Sequence, residues 1–393
     1  MSNSLVLDIL VGLMLVAYIV YGFSNGLSRS IFVIAGVVAG VIGAFFLAPL
    51  AATWVPLALL RPAVTIFVAV GLIGLGHALG SAIGRRVRRG VAKSALGGFD
   101  RVVGALVTGV VAALIASVVS FSASQLGVPV LSKAIADSAV LTTITTVTPQ
   151  PVQAFLAQVR GAVIDRGIPL ITDALGGQTA TIPEIDTGSE ALNTAAQSVV
   201  RVTGNAYACG RSQSGTGFVI SDDRIITNAH VVAGVSEPVI EAPSGEVVTG
   251  SIVYFDPIGD LAVIAAPGLS AAALGVSETL AEGDDAVVEG YPYGGPFTSG
   301  AADVISVSNA RVADIYGSNP TNREVYTLAA TVREGNSGGP LLTLDGRVSG
   351  VVFARNADND KVGYAMTIAE LGPVAAEAAR LTDAVSTGNC ITD

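Results

Sequence analysis

The chain has 393 residues and a formal net charge of −10, and 51% of its residues are hydrophobic while only 13% are charged. This length allows two or three domains. Such an apolar, charge-poor composition excludes an ordinary soluble protein, and the acidic balance disfavours binding to nucleic acid.

Four apolar stretches occupy the N-terminal third of the chain, and each is close to the ~20 residues that a helix needs to cross a membrane. They run from Leu5 to Phe23, Ile31 to Ala52, Pro62 to Gly84 and Val102 to Ser122. A single cleaved signal peptide explains the first stretch but not the other three. The sequence therefore predicts an α-helical membrane bundle of four transmembrane helices. Glycines four residues apart predict close helix approach; they are Gly36, Gly40, Gly76, Gly80 and Gly84.

The basic residues predict the orientation of these helices. The third loop holds six basic residues and one acidic residue, Asp100. The basic residues are Arg85, Arg86, Arg88, Arg89, Lys93 and Arg101. The positive-inside rule places the first and third loops in the cytoplasm, so the N-terminus and everything after the fourth helix lie outside. The charge balance agrees, because residues 1–122 hold eight basic and two acidic residues while the remainder holds 13 and 29.

The segment 124–190 is predicted to form an amphipathic helix and a linker. Apolar residues recur at helical spacing after Pro149-Gln150-Pro151; they are Val152, Phe155, Leu156, Val159, Val163 and Ile164. From Gly176 to Ser189 the composition is rich in Gly, Thr, Pro and acidic residues, which is typical of an extended linker. The membrane region is accordingly assigned to residues 1–123.

Residues 191–393 show a different pattern. Short runs rich in β-branched residues, such as Val199 to Val202, Gly217 to Ile220 and Val348 to Phe353, alternate with Gly, Asn, Asp and Pro. Many short strands at such intervals predict an all-β domain.

Three segments of this domain carry residue types suited to nucleophilic catalysis. They are Thr227-Asn228-Ala229-His230, Asp260-Leu261-Ala262-Val263 and Gly335-Asn336-Ser337-Gly338-Gly339-Pro340. A nucleophilic serine needs an exposed hydroxyl, and a glycine-rich turn lets backbone N–H groups point at the oxyanion that forms when it attacks. A turn serine, a structural histidine and a loop aspartate are the ordinary alternatives for each motif taken alone. His230 favours catalysis, because it is the sole histidine of the C-terminal half.

A fourth motif of the same region is Ser214-Gly215-Thr216-Gly217-Phe218-Val219-Ile220. On these four motifs, residues from about Ala195 onward resemble a bacterial trypsin-like protease domain of the HtrA type. The membrane region resembles the colicin-V-production (CvpA) type in its layout. The whole chain is similar to the actinobacterial membrane-anchored acid-resistance serine proteases of the MarP type.

This resemblance implies a chymotrypsin-like double β-barrel of two six-stranded barrels with the active site between them. His230 and Asp260 would come from the first barrel and Ser337 from the second, with the backbone N–H groups of Gly335 and Ser337 forming the oxyanion hole. The floor of the pocket for the substrate side chain would be Thr331, which is neutral. Its walls would include Val352, Phe353, Ala354, Gly363, Tyr364 and Ala365, which suggests a small to medium apolar side chain.

Cys209 and Cys390 are the two cysteines of the chain, and both lie in the half predicted to be exported. In an oxidising compartment such a pair is more often bridged than free. The bridge would tie the C-terminal tail to the first barrel, and a redox switch is the alternative role.

The expected function is that of a membrane-tethered periplasmic serine endopeptidase that cleaves envelope proteins and supports acid or stress resistance. Its partners would be the lipid bilayer and protein or peptide substrates, with cell-wall hydrolases as candidates, and it would need no cofactor, metal or nucleic acid. The alternative is a membrane transport or signalling module whose protease-like domain binds peptides without cleaving them.

Overall fold

A computed structural model describes residues 3–53, 61–91, 97–124, 127–153, 155–157, 169–171, 180–206 and 211–391 of the chain. The chain divides into two compact units. One comprises Leu5–Val118, and the other comprises Val119–Asp393 together with Met1–Ser4.

Four long helices follow one another at the N-terminus: α1 (Asn3–Asn25), α2 (Leu27–Thr53), α3 (Arg61–Val91) and α4 (Gly97–Ser124). Each contains a stretch long and apolar enough to cross a membrane. Large apolar side chains are exposed all along these helices, as expected for surfaces that face lipid rather than water. The prediction of four apolar helices is confirmed.

Helices α2 and α3 pack backbone against backbone at the glycines. A β-carbon added at Gly36 would lie 2.2 Å from the carbonyl oxygen of Gly76, and one added at Gly80 would lie 2.1 Å from that of Phe32. Only residues without a side chain allow this approach, so the glycine spacing marks the contact face between the two helices.

Two short helices, α5 (Pro129–Ala136) and α6 (Ala139–Val147), follow α4. They are bent by 60° relative to each other, and taken together they would count as a fifth candidate span. Val159, Val163 and Ile164 of the predicted amphipathic helix lie outside the described residues, as do Lys93 and residues 176–179 of the predicted linker.

The first β-sheet of the larger unit carries the strands β2 (Val199–Ala206), β3 (Arg211–Ser221), β4 (Arg224–Thr227), β5 (Val239–Glu241), β6 (Val247–Thr249), β7 (Ser251–Asp256) and β8 (Leu261–Ala265). Their order is β6-β5-β2-β3-β4-β8-β7. The resemblance implied six strands here, and the structure shows seven because Gly250 separates β6 from β7. A β-carbon at Gly250 would lie 2.4 Å from the Ile264 side chain, so the chain can pass this point only without one.

The second sheet carries β9 (Asp285–Gly290), β10 (Thr298–Val312), β11 (Thr321–Ala330), β12 (Pro340–Leu342), β13 (Val348–Asn356) and β14 (Val362–Thr367). Their order is β13-β12-β9-β10-β11-β14, and β13 also pairs with β14, so these six strands close into a barrel. The two-residue strand β1 (Leu170–Ile171) adds to it in parallel beside β13.

One apolar cluster joins the two sheets, in addition to a separate core within each. Phe218 and Val263 of the first sheet pack in the same cluster as Val325, Val351 and Phe353 of the second. Because burial of such side chains stabilises a fold by about 1.5–3 kcal/mol each, this cluster fixes the two barrels against each other. The loops that connect strands at this junction carry the residues of the candidate site.

Candidate active site

His230 lies in a single helical turn, Ala229–Val232, that directly follows strand β4. Its Nδ1 lies 2.8 Å from Oδ2 and 3.0 Å from Oδ1 of Asp260, and its backbone N–H donates to Oδ1 at 2.9 Å. An ionised carboxylate can only accept, so Nδ1 carries the proton and the neutral imidazole presents Nε2 as its basic nitrogen. The structure thus brings His230 and Asp260 together.

Asp260 precedes strand β8 in a left-handed backbone conformation, with φ of 56°. Such a conformation in a residue other than glycine costs about 1–3 kcal/mol and persists where the surroundings impose it. Here the Asn228 side-chain amide donates to the carbonyl oxygen of Asp260 at 2.9 Å, and the His230 backbone holds its carboxylate. The backbone strain therefore falls on the residue that orients the imidazole.

Ser337 lies in the turn between β11 and β12 and is 1% exposed. Its carbonyl oxygen accepts from the N–H of Thr216 at 2.9 Å, and the N–H of Gly338 donates to the carbonyl of Val352 at the same distance. Gly338 has φ of +82°, and a β-carbon there would lie 2.2 Å from the carbonyl oxygen of Thr216. The glycine that follows the serine is therefore required by space as well as by conformation.

Ser337 Oγ and His230 Nε2 are both buried, and neither has a hydrogen-bond partner among the residues that the structure describes. Buried polar atoms are rarely left unpaired, because an unmade bond costs about 1–3 kcal/mol. These two atoms are the ones that a nucleophile and its base would join. In unliganded proteases this bond is often long and tightens only in the complex with substrate.

The backbone N–H groups of Gly335 and Ser337 both belong to the turn between β11 and β12. Within the described ranges, neither N–H donates to another backbone group. The carbonyl of Glu334 accepts from the N–H of Tyr293 at 2.6 Å. Because C=O and N–H point in opposite directions across a trans peptide, the Gly335 N–H faces away from Tyr293. The turn has the donors that an oxyanion hole needs.

Arg323 was not singled out by the sequence, since one arginine in a strand carries no signal. It lies on β11, is 3% exposed, and donates from Nη1 to the carbonyl of Gly259 at 3.2 Å and from Nη2 to that of Ala313 at 2.7 Å. Burial lowers the pKa of its guanidinium, while the charge of Asp260 opposes this shift. Arg323 therefore links the second barrel to the loop that carries Asp260.

Glu289, also unpredicted, lies on β9 and is fully buried. The hydroxyl of Ser299 donates to its Oε1 at 3.2 Å, whereas Oε2 has no hydrogen-bond partner within the described part of the chain. Burial raises the pKa of this carboxyl to about 7, against the opposing effect of the Ser299 hydrogen bond.

The predicted substrate-pocket residues lie on the second barrel. Thr331 is exposed just after the end of β11, whereas Phe353 and Ala354 are buried on β13. The Phe353 side chain packs in the shared core, with the Arg323 guanidinium 5.8 Å from its ring centre. Their role in substrate selection stays a prediction.

The predicted disulfide cannot be followed to both ends, because Cys209 lies outside the described residues. Cys390 packs against the core of the first barrel. Over the portions of the chain that the structure describes, no group of three or more His, Cys, Asp or Glu side chains could hold a metal ion.

Comparisons with known proteins agree with this layout. Residues 215–351 match the family model described as a trypsin-like peptidase domain, and residues 7–149 match that of the Colicin V production protein. The serine protease Rv3671c of Mycobacterium tuberculosis is 34% identical over 321 residues, which cover 78% of this chain and 79% of that protein.

Two further comparisons concern the protease region. The mitochondrial serine protease HTRA2 of Bos taurus is 33% identical over 199 residues, which cover 47% of this chain and 43% of that protein. A crystal structure of the Rv3671c protease in its active form superimposes with a TM-score of 0.52 at 36% identity and covers 56% of this chain and 100% of the crystallised one.

Proposed function

Since this chain belongs to the family of serine proteases that includes Rv3671c of Mycobacterium tuberculosis, we propose that Ser337, His230 and Asp260 form its catalytic triad. The chain is a serine endopeptidase in which a CvpA-like region precedes a trypsin-like domain. The observation that carries the proposal is the hydrogen-bonded pair of His230 and Asp260 combined with two unpartnered atoms, His230 Nε2 and Ser337 Oγ.

Each residue has one task in the proposed reaction. Ser337 Oγ attacks the carbonyl carbon of the scissile peptide bond, and His230 Nε2 takes its proton. Asp260 holds the imidazole by Nδ1 and stabilises the imidazolium that forms. The Nε2 proton then passes to the leaving amine. Water next attacks the acyl-enzyme, and His230 Nε2 takes the water proton and returns it to Ser337 Oγ as the new carboxyl group leaves.

The N–H groups of Gly335 and Ser337 would receive the oxyanion. Loss of one such donor costs about 10²–10³ in kcat in serine proteases. The glycine conformation at Gly335, with φ of +88°, and the hydrogen bond that holds the carbonyl of Glu334 support this assignment.

We further propose that the protease domain lies on the outer, periplasmic side of the cytoplasmic membrane. The arginines at the end of the third helix and the start of the fourth support this orientation through the positive-inside rule. Envelope proteins, with cell-wall hydrolases as candidates, are the proposed substrates. A role in acid or stress resistance is proposed from the resemblance to the MarP type.

Cleavage of a peptide library by the full chain in detergent tests the proposal. The wild type should cleave internal peptide bonds, and Ser337→Ala should not. Purified wild-type protein that binds peptides without cleaving any would instead favour the alternative of a membrane module with a peptide-binding domain.

A further inference from the structure

We propose that Thr216 is a positioning residue for the oxyanion hole, which its hydroxyl holds in shape through the carbonyl group of Gly335. The inference rests on the proposed function of Gly335 and Ser337. Thr216 lies on strand β3 of the first barrel, while the turn that it holds belongs to the second.

The Thr216 hydroxyl makes two hydrogen bonds and is fully buried. It donates to the carbonyl oxygen of Gly335 at 2.5 Å and accepts from the backbone N–H of Tyr291 at 3.0 Å. A hydroxyl has one proton and two lone pairs, so both bonds exist at once. The N–H of Tyr291 cannot be a target of the hydroxyl proton, which leaves the Gly335 carbonyl as the acceptor.

The backbone of Thr216 is held on both sides as well. Its N–H donates to the carbonyl of Ser337 at 2.9 Å, and its own carbonyl accepts from the Thr227 hydroxyl at 2.7 Å. Thr216 therefore contacts the turn at two points, Gly335 and Ser337, which are the two residues that supply the proposed oxyanion donors.

The contact at Gly335 matters because glycine has no intrinsic conformational preference that would fix it. Gly335 has φ of +88°, and a β-carbon would lie 2.3 Å from the carbonyl oxygen of Tyr291, so no other residue fits. Two peptide groups meet at this residue. The preceding carbonyl, of Glu334, is held by the N–H of Tyr293 at 2.6 Å, and the following one is held by Thr216.

Holding both carbonyls fixes both backbone angles of Gly335. The direction of its N–H follows, because that N–H lies opposite the Glu334 carbonyl in the same peptide plane. Without the Thr216 hydroxyl the second peptide plane keeps only the hydrogen bond from the Asn336 N–H to the carbonyl of Arg333 at 3.0 Å. The ψ angle of Gly335 is then held less firmly, and the N–H groups of Gly335 and Ser337, which lie on either side of that plane, no longer converge on one point. Since the oxyanion exists only along the reaction path, the loss should appear in kcat rather than in KM.

The test compares Thr216→Ser with Thr216→Ala in the full chain. The two variants differ only by the hydroxyl. We expect Thr216→Ala to lower kcat by about 10- to 100-fold with KM changed less than about threefold, in keeping with weakening rather than deleting one donor. Thr216→Ser should stay within about threefold of the wild type in both constants. A peptide aldehyde, which forms the tetrahedral oxyanion, should lose affinity for Thr216→Ala in parallel with kcat, whereas a product peptide should not.

Thr203→Ala is the matched control, because Thr203 is also a buried threonine of this barrel and its hydroxyl is directed at the carbonyl of Val239 at 3.5 Å instead. It should leave kcat within about threefold of the wild type, since its hydroxyl contacts no part of the oxyanion turn. An equal fall in kcat for Thr203→Ala, or for Thr216→Ser, would overturn the inference, and so would an undiminished kcat for Thr216→Ala. If Thr216→Ala does not fold, Thr216→Cys takes its place, because a thiol of similar size is a weaker donor and should show the same loss.

The assay also separates this inference from the proposed function. If the wild type cleaves peptides and Ser337→Ala does not, Ser337 is the nucleophile. The Thr216 variants then test only the role of the Thr216 hydroxyl. A wild type without activity would overturn both.

Discussion

Replacement of Glu289 by glutamine should change how stability depends on pH. The carboxyl is fully buried, and burial raises its pKa from 4.5 to about 7 in the folded protein. The folded state therefore keeps a proton that the unfolded chain releases. This contribution to stability is complete below about pH 4.5, falls as the pH rises, and is lost above about pH 7.

The size of the effect follows from the shift. A rise from 4.5 to about 7 corresponds, at 1.36 kcal/mol per unit, to about 3 kcal/mol of unfolding free energy. Glutamine is neutral at every pH and has a similar shape. The wild type should therefore gain about 3 kcal/mol more than Glu289→Gln does when the pH is lowered from 8 to 4.5.

Urea unfolding of the full chain in detergent, followed by far-UV circular dichroism of the β-rich unit, measures this difference. Glu278→Gln is the control, because Glu278 is exposed ahead of the same strand, and its curve should run parallel to that of the wild type. Parallel curves for Glu289→Gln and wild type between pH 4.5 and 7 would show that burial does not hold the Glu289 carboxyl neutral.

Three further predictions concern the site and its setting. Single alanine replacements of Ser337, His230 or Asp260 should each lower kcat for peptide cleavage by about 10⁴ or more, and a double replacement should add little, because the residues act as a unit; a variant with near wild-type kcat would show that its residue is misassigned. Mass spectrometry of the unreduced protein should find Cys209 linked to Cys390, and alkylation of both without reductant would exclude the bridge. A reporter that is active only outside the cytoplasm should be active when fused to the C-terminus, whereas activity of a cytoplasmic reporter there would reverse the proposed orientation.

The helical region could be predicted from the sequence because its signals are local. Apolar stretches of the length of a membrane are visible in any window, and glycines such as Gly36 and Gly80 mark a contact face by their spacing alone. The strand-rich character of the remainder and its likeness to trypsin-like domains were equally local, since they rest on short runs and motifs.

The supporting residues of the site could not be predicted, because their roles depend on pairings across long stretches of chain. Thr216 stood within a recognised motif, yet its partner Gly335 follows 119 residues later. Arg323 reaches the carbonyl of Gly259 across 64 residues. Nothing in the local sequence of Glu289 distinguishes a buried carboxyl from an exposed one, since its burial is produced by the closure of the second barrel.

The separation of β6 from β7 at Gly250 could not be predicted from the sequence either. A glycine between two short β-branched runs fits a turn as well as a bend within one strand. Only the packing of Ile264 against this point decides between them, and that contact comes from a strand further along the chain.

We propose above that Ser337 is a nucleophile activated by His230. Reaction of the full chain with a fluorophosphonate, followed by mass spectrometry of the digested protein, tests it most directly, because this reagent labels only an activated serine. We expect one adduct, located on Ser337, and its loss or strong slowing in His230→Ala. An unlabelled Ser337 in folded wild-type protein, or equally fast labelling without His230, would show that Ser337 is not a nucleophile activated by His230.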